Sequence, residues 1–254
     1  MIKGKNLNNI FEGKVYKTNS SGDCVIISYK NSTDVTVRFL DKYNYTVKTK
    51  LHDLRRGAVR NPYYPSVRGV GYMGEGKYKT RDKTGKKSKV FQTWAGMMER
   101  GYCQKFKNKY PTYSDCSVHP DWHNFQVFAE WYVNHKFFGL GYELDKDIIV
   151  KGNSIYSADA CTLVPRDINS LFGNKRSSRG AYPQGVNLHK ATGKFRASLS
   201  CNNKNKHLGE FTTPEEASAV YVEAKEAHVR EVGMIWEGRI EPRAFEALIN
   251  WTVY

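Results

Sequence analysis

The sequence predicts a multidomain α+β protein: a small N-terminal β barrel, a central hairpin-plus-helix module, and a C-terminal three-stranded sheet backed by a helix. Three observations predict it. Residues 1–60 carry four or five short β-rich runs separated by turn clusters at regular spacing, the pattern of a small barrel of the Src-homology type. Residues 142–172, YELDKDIIVKGNSIYSADACTLVPRDINSLF, read as strand, polar loop, strand and helix. Residues 182–232 read as three short strands followed by an explicit helix start. The expected domain boundaries are 1–75, 76–173 and 174–254.

Composition limits the functional classes. A chain of 254 residues with 40% hydrophobic and 13% aromatic content is long enough for two or three folded domains and too apolar for a disordered chain. Forty Lys+Arg against 25 Asp+Glu give a net charge of +15. That excess predicts a polyanionic partner, nucleic acid first and an anionic membrane surface as the weaker candidate. No stretch is apolar enough to span a membrane, and MIKGKNLNNIFEGK lacks the apolar centre of a signal peptide. Five Cys at this length argue against a disulfide framework. The expected location is therefore the cytoplasm.

In the first 60 residues the predicted strands are Gly13-Lys14-Val15-Tyr16, Cys24 onward to Tyr29, Val35 to Phe39 and Tyr43 to Lys48, with turns at Asn19-Ser20-Ser21-Gly22 and Asn31-Ser32-Thr33-Asp34. This segment holds no catalytic constellation and reads as a binding or packing module. Gly69-Val70-Gly71-Tyr72-Met73-Gly74 matches G-x-G-x-x-G in letters. It follows NPYYPSVR rather than a buried strand and opens no apolar helix, so it is expected to be a flexible joint and not a dinucleotide loop. Residues 77–89 carry seven basic side chains against Asp82 alone. Such an arm is either a solvated surface or a phosphate contact.

Residues 89–139 show helical spacing of apolar residues, first at Val90, Trp94, Met97, Met98 and Tyr102, then at Trp122, Phe125, Phe128, Ala129 and Tyr132. These aromatics are expected to build the core that carries the 142–172 hairpin. Between them, Cys116-Ser117-Val118-His119 is a C-x-x-H pair, with Cys103 before it and Cys161 after it. The four residue types suit a structural Zn²⁺, although one C-x-x-H with two isolated Cys is a weak spacing signal, and unmetallated residues are the commoner outcome. Within 142–172, Asp145 falls where the first strand ends and Asn169 falls on the helix that follows Pro165. A hairpin folded on a helix would bring these two oxygen donors together, which suits Mg²⁺.

The spaced residues Trp94, Met97, Arg100, Cys103, Tyr110-Pro111-Thr112-Tyr113, Cys116, Trp122, Phe125 and Trp131, followed by LDKDIIVKGN, IYS and VPRDIN, resemble a group of phage-encoded HNH-type (ββα-metal) homing endonucleases. The resemblance covers roughly residues 60–175. It implies a ββα-metal module in which Asp145 and Asn169 hold one Mg²⁺ or Mn²⁺ and phosphodiester bonds of DNA are hydrolysed in a bacterial host cell. Two positions depart from the family. Lys146 stands where the general-base His belongs, and Ala160 stands near the place of the middle Asn that orients it. Lys146 would need a strongly lowered pKa to act as a base, or else it stabilises charge on the transferring phosphate. The base would then come from His119, His123, His135 or water acidified by the metal. The alternative is a catalytically degenerate HNH-fold protein that binds DNA without cutting, such as a regulator or host-interaction factor. In a third reading the N-terminal barrel is a protein-interaction module and DNA binding is secondary.

Residues 173–209 contain no Asp or Glu. Within them GNKRSSRG reads as a basic linker. Strands are predicted at Gly185 to His189, Lys194 to Ser200 and Lys206 to Phe211. Thr213-Pro214-Glu215-Glu216 supplies an N-cap, an N1 proline and an N3 acid, and Ala217, Val220, Tyr221, Ala224 and Ala227 give one apolar helix face. GVNLHKATGKFRASLSCNNKNKHLGEFTTPEEASAVY is similar to the plant APETALA/ethylene-response-factor DNA-binding domain. By that resemblance the exposed sheet face enters the major groove. Arg196, Ser198, Ser200, Lys206 and His207 reach bases and phosphates, with Asn187 a further candidate, and Lys190 and Lys194 sit on phosphate. Phe195, Leu199, Leu208 and Phe211 are expected under the helix. Residues 233–254, with Pro242 starting a short helix, are expected to pack back on the reader or the core.

Overall fold

The computed structural model describes residues 8–172, 181–201 and 204–253. The predicted GNKRSSRG linker lies outside the described residues. The fold is mixed α+β with several small sheets. It divides into two compact units, one of residues 1–109 and 116–133, the other of residues 110–115 and 134–254. These boundaries differ from the expected ones. The 142–172 hairpin belongs with the C-terminal module, and the aromatic helices belong with the N-terminal sheet.

The N-terminal sheet is an antiparallel meander of Val15–Lys17, Asp23–Asn31, Asp34–Phe39 and Thr46–Thr49. Alternation along the central strands sends Cys24, Ile26, Val35, Val37 and Phe39 to one buried face. The last strand starts later than the sequence suggests, because Asp41 Oδ1 accepts from the amides of Tyr43 and Asn44 and holds a turn there. Where a barrel was expected, the sheet is open. Leu51 and Leu54 of the helix Leu51–Arg55, with Val59, join the same core and cover the face that a closing strand would otherwise cover.

In the same unit, Ser88 caps the helix Lys89–Tyr102 by accepting from the Phe91 amide. Trp94, Met97 and Met98 are fully buried, together with Trp122, Phe125 and Phe128 from the second aromatic segment. The Trp94 indole donates to the Trp122 carbonyl at 2.7 Å, so its one polar atom is satisfied inside the core. The G-x-G-x-x-G segment is not a loose joint. The Tyr72 amide donates to the His123 carbonyl and the Phe125 amide to the Tyr72 carbonyl. Gly74 has φ +66, and a Cβ there would stand 2.1 Å from the Asn124 side chain, so only glycine fits. The basic arm is a tight turn in which Asp82 Oδ1 accepts from Thr84 and from the Lys86 amide, and Lys77 pairs with Glu130.

In the second unit, Glu143–Asp145 pairs antiparallel with Thr162–Val164, and the helix Arg166–Leu171 follows directly. Ile148, Val164 and Ile168 from this piece share one core with Val229, Ile240, Ala244 and Leu248. The hairpin therefore shares its core with the C-terminal helices Pro214–Ile235 and Pro242–Ile249, and of the segment 89–139 Phe137 stacks on Tyr142 at its start. Arg243 donates to the Asp159 carbonyl and Tyr142 to the Arg239 carbonyl, which ties the tail to the hairpin loop from both ends.

The three-stranded sheet is antiparallel, with Lys194–Cys201 between Val186–His189 and Lys204–Phe211. The capping box predicted at Thr213 and Glu216 is formed. The helix it starts buries Ala217, Tyr221, Lys225, Val229 and Gly233, a spacing of four rather than the predicted small-residue face ending at Ala227. Its first half packs on the sheet through Ala217, and its second half enters the hairpin core through Val229. Among the described residues no helix is long and apolar enough to cross a membrane.

Candidate metal centre and nucleic-acid interface

Strand alternation places Glu143 and Asp145 on one face of the hairpin. Asp145 pairs in register with Thr162, and Glu143 with Val164, so Asp145 and Thr162 have side chains on the same face. Asp145 is only 8% exposed. Its Oδ1 accepts from the amides of Asp147 at 2.9 Å and Ile148 at 2.8 Å, which fixes the turn leaving the strand. Burial, and then the charge of Asp147, push its carboxyl up to about 6, against the two amide hydrogen bonds and Lys146, which pull it down. Thr162 is fully buried, and its hydroxyl finds no hydrogen-bond partner among the described residues.

The helix that follows Val164 brings Asn169 to Glu143, two residues before the expected partner Asp145. The Asn169 amide donates to Glu143 Oε2 at 2.6 Å. Glu143 is a carboxylate that the sequence reading missed. The signal for it was its place two residues before Asp145, on the same strand face. The hairpin and its helix thus carry carboxylate, amide and hydroxyl oxygens, donor types of the kind that suits Mg²⁺ or Mn²⁺.

Lys146 is not aimed outward as a spare amine. Its Nζ donates to Asp147 Oδ2 at 3.0 Å and to the Asn153 carbonyl at 2.9 Å. Asn153 returns the contact by donating to the Lys146 carbonyl at 2.6 Å and to the Ile155 carbonyl at 2.7 Å. Lys146 and Asn153 thus lace the two ends of the polar loop together. Ala160, in the loop before the second strand, is buried and offers no polar side chain.

Of the histidines considered as bases, His119 and His123 belong to the first unit and His135 to the second. His119 caps the short turn at Pro120–His123. His123 lies 2.7 Å from the Tyr102 hydroxyl and 3.1 Å from the Val118 carbonyl, and burial lowers its pKa. His135 faces Glu241 at 3.7 Å, and burial lowers its pKa also. Cys103, Cys116 and His119 fall in the first unit and Cys161 in the second. Among the described residues no three His, Cys, Asp or Glu side chains gather as a metal-holding group.

The second candidate surface is the sheet face turned away from the helix. Phe195, Ala197 and Leu199 point inward, and Lys194, Arg196, Ser198 and Ser200 point outward. Register adds Asn187 and Glu210 opposite Arg196, His207 opposite Ser198, Asn205 opposite Ser200 and His189 opposite Lys194. Lys206 lies opposite the buried Leu199 and therefore sits on the helix side. A bulge at Ala197/Ser198 shifts the register. It lets Leu208 join the inner core while His207 stays outside. Lys190 is exposed in the turn between the first two strands.

Two features of this surface escaped the sequence. The acid-free run ends one residue before Glu210, which stands on the outer face beside Arg196. Glu210 Oε1 accepts from Arg196 Nη2 at 2.8 Å and Nε at 3.2 Å, with His189 Nδ1 at 2.8 Å. Arg196 holds the Glu210 carboxyl below its usual range. Beneath the sheet, Lys225 is 8% exposed and donates to the Leu171 carbonyl at 2.7 Å, at the end of the helix that bears Asn169. Burial lowers its pKa.

Comparison with known proteins returned no match, whether to a family model, a curated protein or a solved structure.

Proposed function

We propose that this protein is a sequence-specific, metal-dependent DNA endonuclease of the phage HNH homing type. The observation that carries the reading is the hairpin–helix piece, on which the Asn169 amide reaches the strand that ends in the buried Asp145. The net charge of +15 and the basic outer sheet face supply the attraction to duplex DNA. Asp145 and Asn169 would hold the cation, with Glu143 fixing the Asn169 amide. When bound, Mg²⁺ or Mn²⁺ would acidify water and offset charge on the leaving oxygen. Asp145 would bind as the carboxylate, the form that prevails above its raised value of about 6.

The second reading is a DNA-binding protein on a decayed nuclease frame, and Lys146 favours it. With Nζ engaged by Asp147 and Asn153, this side chain serves the loop rather than an attacking water. Incubation with a randomised duplex library in Mg²⁺, Mn²⁺ and chelator separates the two. Metal-dependent cleavage at a selected sequence supports the endonuclease. Tight, salt-sensitive binding without cleavage supports the non-cutting reading.

A further inference from the structure

Among the described residues of this face Glu210 is the one acid, and the rest are neutral or basic. Against a phosphate backbone it is repulsive, so its contribution has to come through its neighbours. It takes both side-edge donors of Arg196, Nε and Nη2, on a single oxygen, and His189 Nδ1 approaches that oxygen from the adjoining strand. Thr192 donates to its other oxygen at 3.4 Å. Nη2 also lies 3.1 Å from His189 Nδ1; with that nitrogen protonated and turned to Glu210, the Nη1/Nη2 edge is the fork that matches O6 and N7 of a guanine in the major groove. Lys190 and Lys194, in the adjoining turn and at the strand start, carry charge suited to phosphates on either side.

We propose that Glu210 is the positioning residue of the reading face, and that it presets Arg196 to recognise one guanine in the bound duplex. The inference rests on the DNA-binding reading above and deepens it. An arginine held on its side edge has lost its rotamer freedom before DNA arrives, so less is lost on binding. The same carboxylate keeps phosphate away from Arg196, which directs the guanidinium to a base edge instead of the backbone.

The test is selection of bound sequences from a randomised duplex pool with the full-length protein and with Arg196→Ala, Glu210→Ala and Glu210→Gln, alongside affinity for a random-sequence duplex. The wild type should select a G at one position. Arg196→Ala should erase that preference alone, by roughly tenfold to a hundredfold. Glu210→Ala should weaken the same preference while holding or raising affinity for random duplex, because a negative charge has gone. Glu210→Gln keeps one acceptor oxygen and should recover part of the preference, which a merely structural role would not produce. An unchanged G preference in Glu210→Ala, or uniform loss at every position, overturns the inference while leaving DNA binding intact. Absence of duplex binding by the wild type overturns the DNA-binding reading and this inference with it.

Discussion

Replacing Asp145 with Asn probes the candidate centre through stability, without reference to activity. The carboxyl is raised from 3.8 to about 6, chiefly by burial. That rise corresponds to a preference for the protonated form on the order of 3 kcal/mol. The folded state holds this proton more tightly than the unfolded chain does. The associated stability is therefore complete below pH 3.8 and is lost as pH rises through about 6. Asn keeps an oxygen for the amides of Asp147 and Ile148 but cannot ionise. In chelator, urea denaturation should find wild type and Asp145→Asn alike near pH 4. At pH 7.5 the variant should be more stable by up to about 3 kcal/mol. Mg²⁺ at pH 7.5 should then stabilise the wild type and leave the variant unmoved. A difference that is flat with pH, or a wild type that gains on the variant as pH rises, refutes the reasoning.

Two further outcomes follow from buried polar groups. Thr162→Val replaces an unpartnered hydroxyl with a methyl of similar shape, and should raise stability by about 1 kcal/mol, or about 2–4 °C in Tm; a loss in chelator would show that the hydroxyl has a partner in solution. Lys225→Ala strips the Leu171 carbonyl of its donor and should cost about 1–3 kcal/mol, with hydrogen exchange rising first in the helix Arg166–Leu171; unchanged exchange there would refute the coupling.

Much of the fold is legible in the sequence where local chemistry decides it. The strands of the C-terminal sheet, the Thr213–Glu216 capping box and the tail helix at Pro242 follow from turn residues, alternation and caps. What the sequence hides is long-range. The hairpin core comes from Val229, Ala244 and Leu248, more than 60 residues beyond Val164 in the chain, and periodicity does not reveal which apolar face meets which. The same holds for the barrel: strand signals say nothing about whether Leu51 and Leu54 will cover the sheet. At the candidate centre, Asp145 and Asn169 could be named because motif and spacing mark them. Glu143 had only its place two residues before Asp145 to mark it, and Thr162 nothing, since their surroundings come from strand register and the helix contact. Lys225 reads as a solvated helix charge until the Leu171 carbonyl is placed beside it, and Glu210 is informative only once register sets it against Arg196.

The central claim is that residues 143–171 form a metal-dependent phosphodiesterase site. Its most direct test is cleavage of a selected duplex by wild type, Asp145→Ala and Asn169→Ala in Mg²⁺ and in Mn²⁺, with binding measured in parallel. The account predicts metal-dependent cleavage by the wild type and its loss in both variants while the duplex is still bound. Cleavage that survives Asp145→Ala, or a wild type that binds its duplex tightly and never cuts it in either metal, would contradict it.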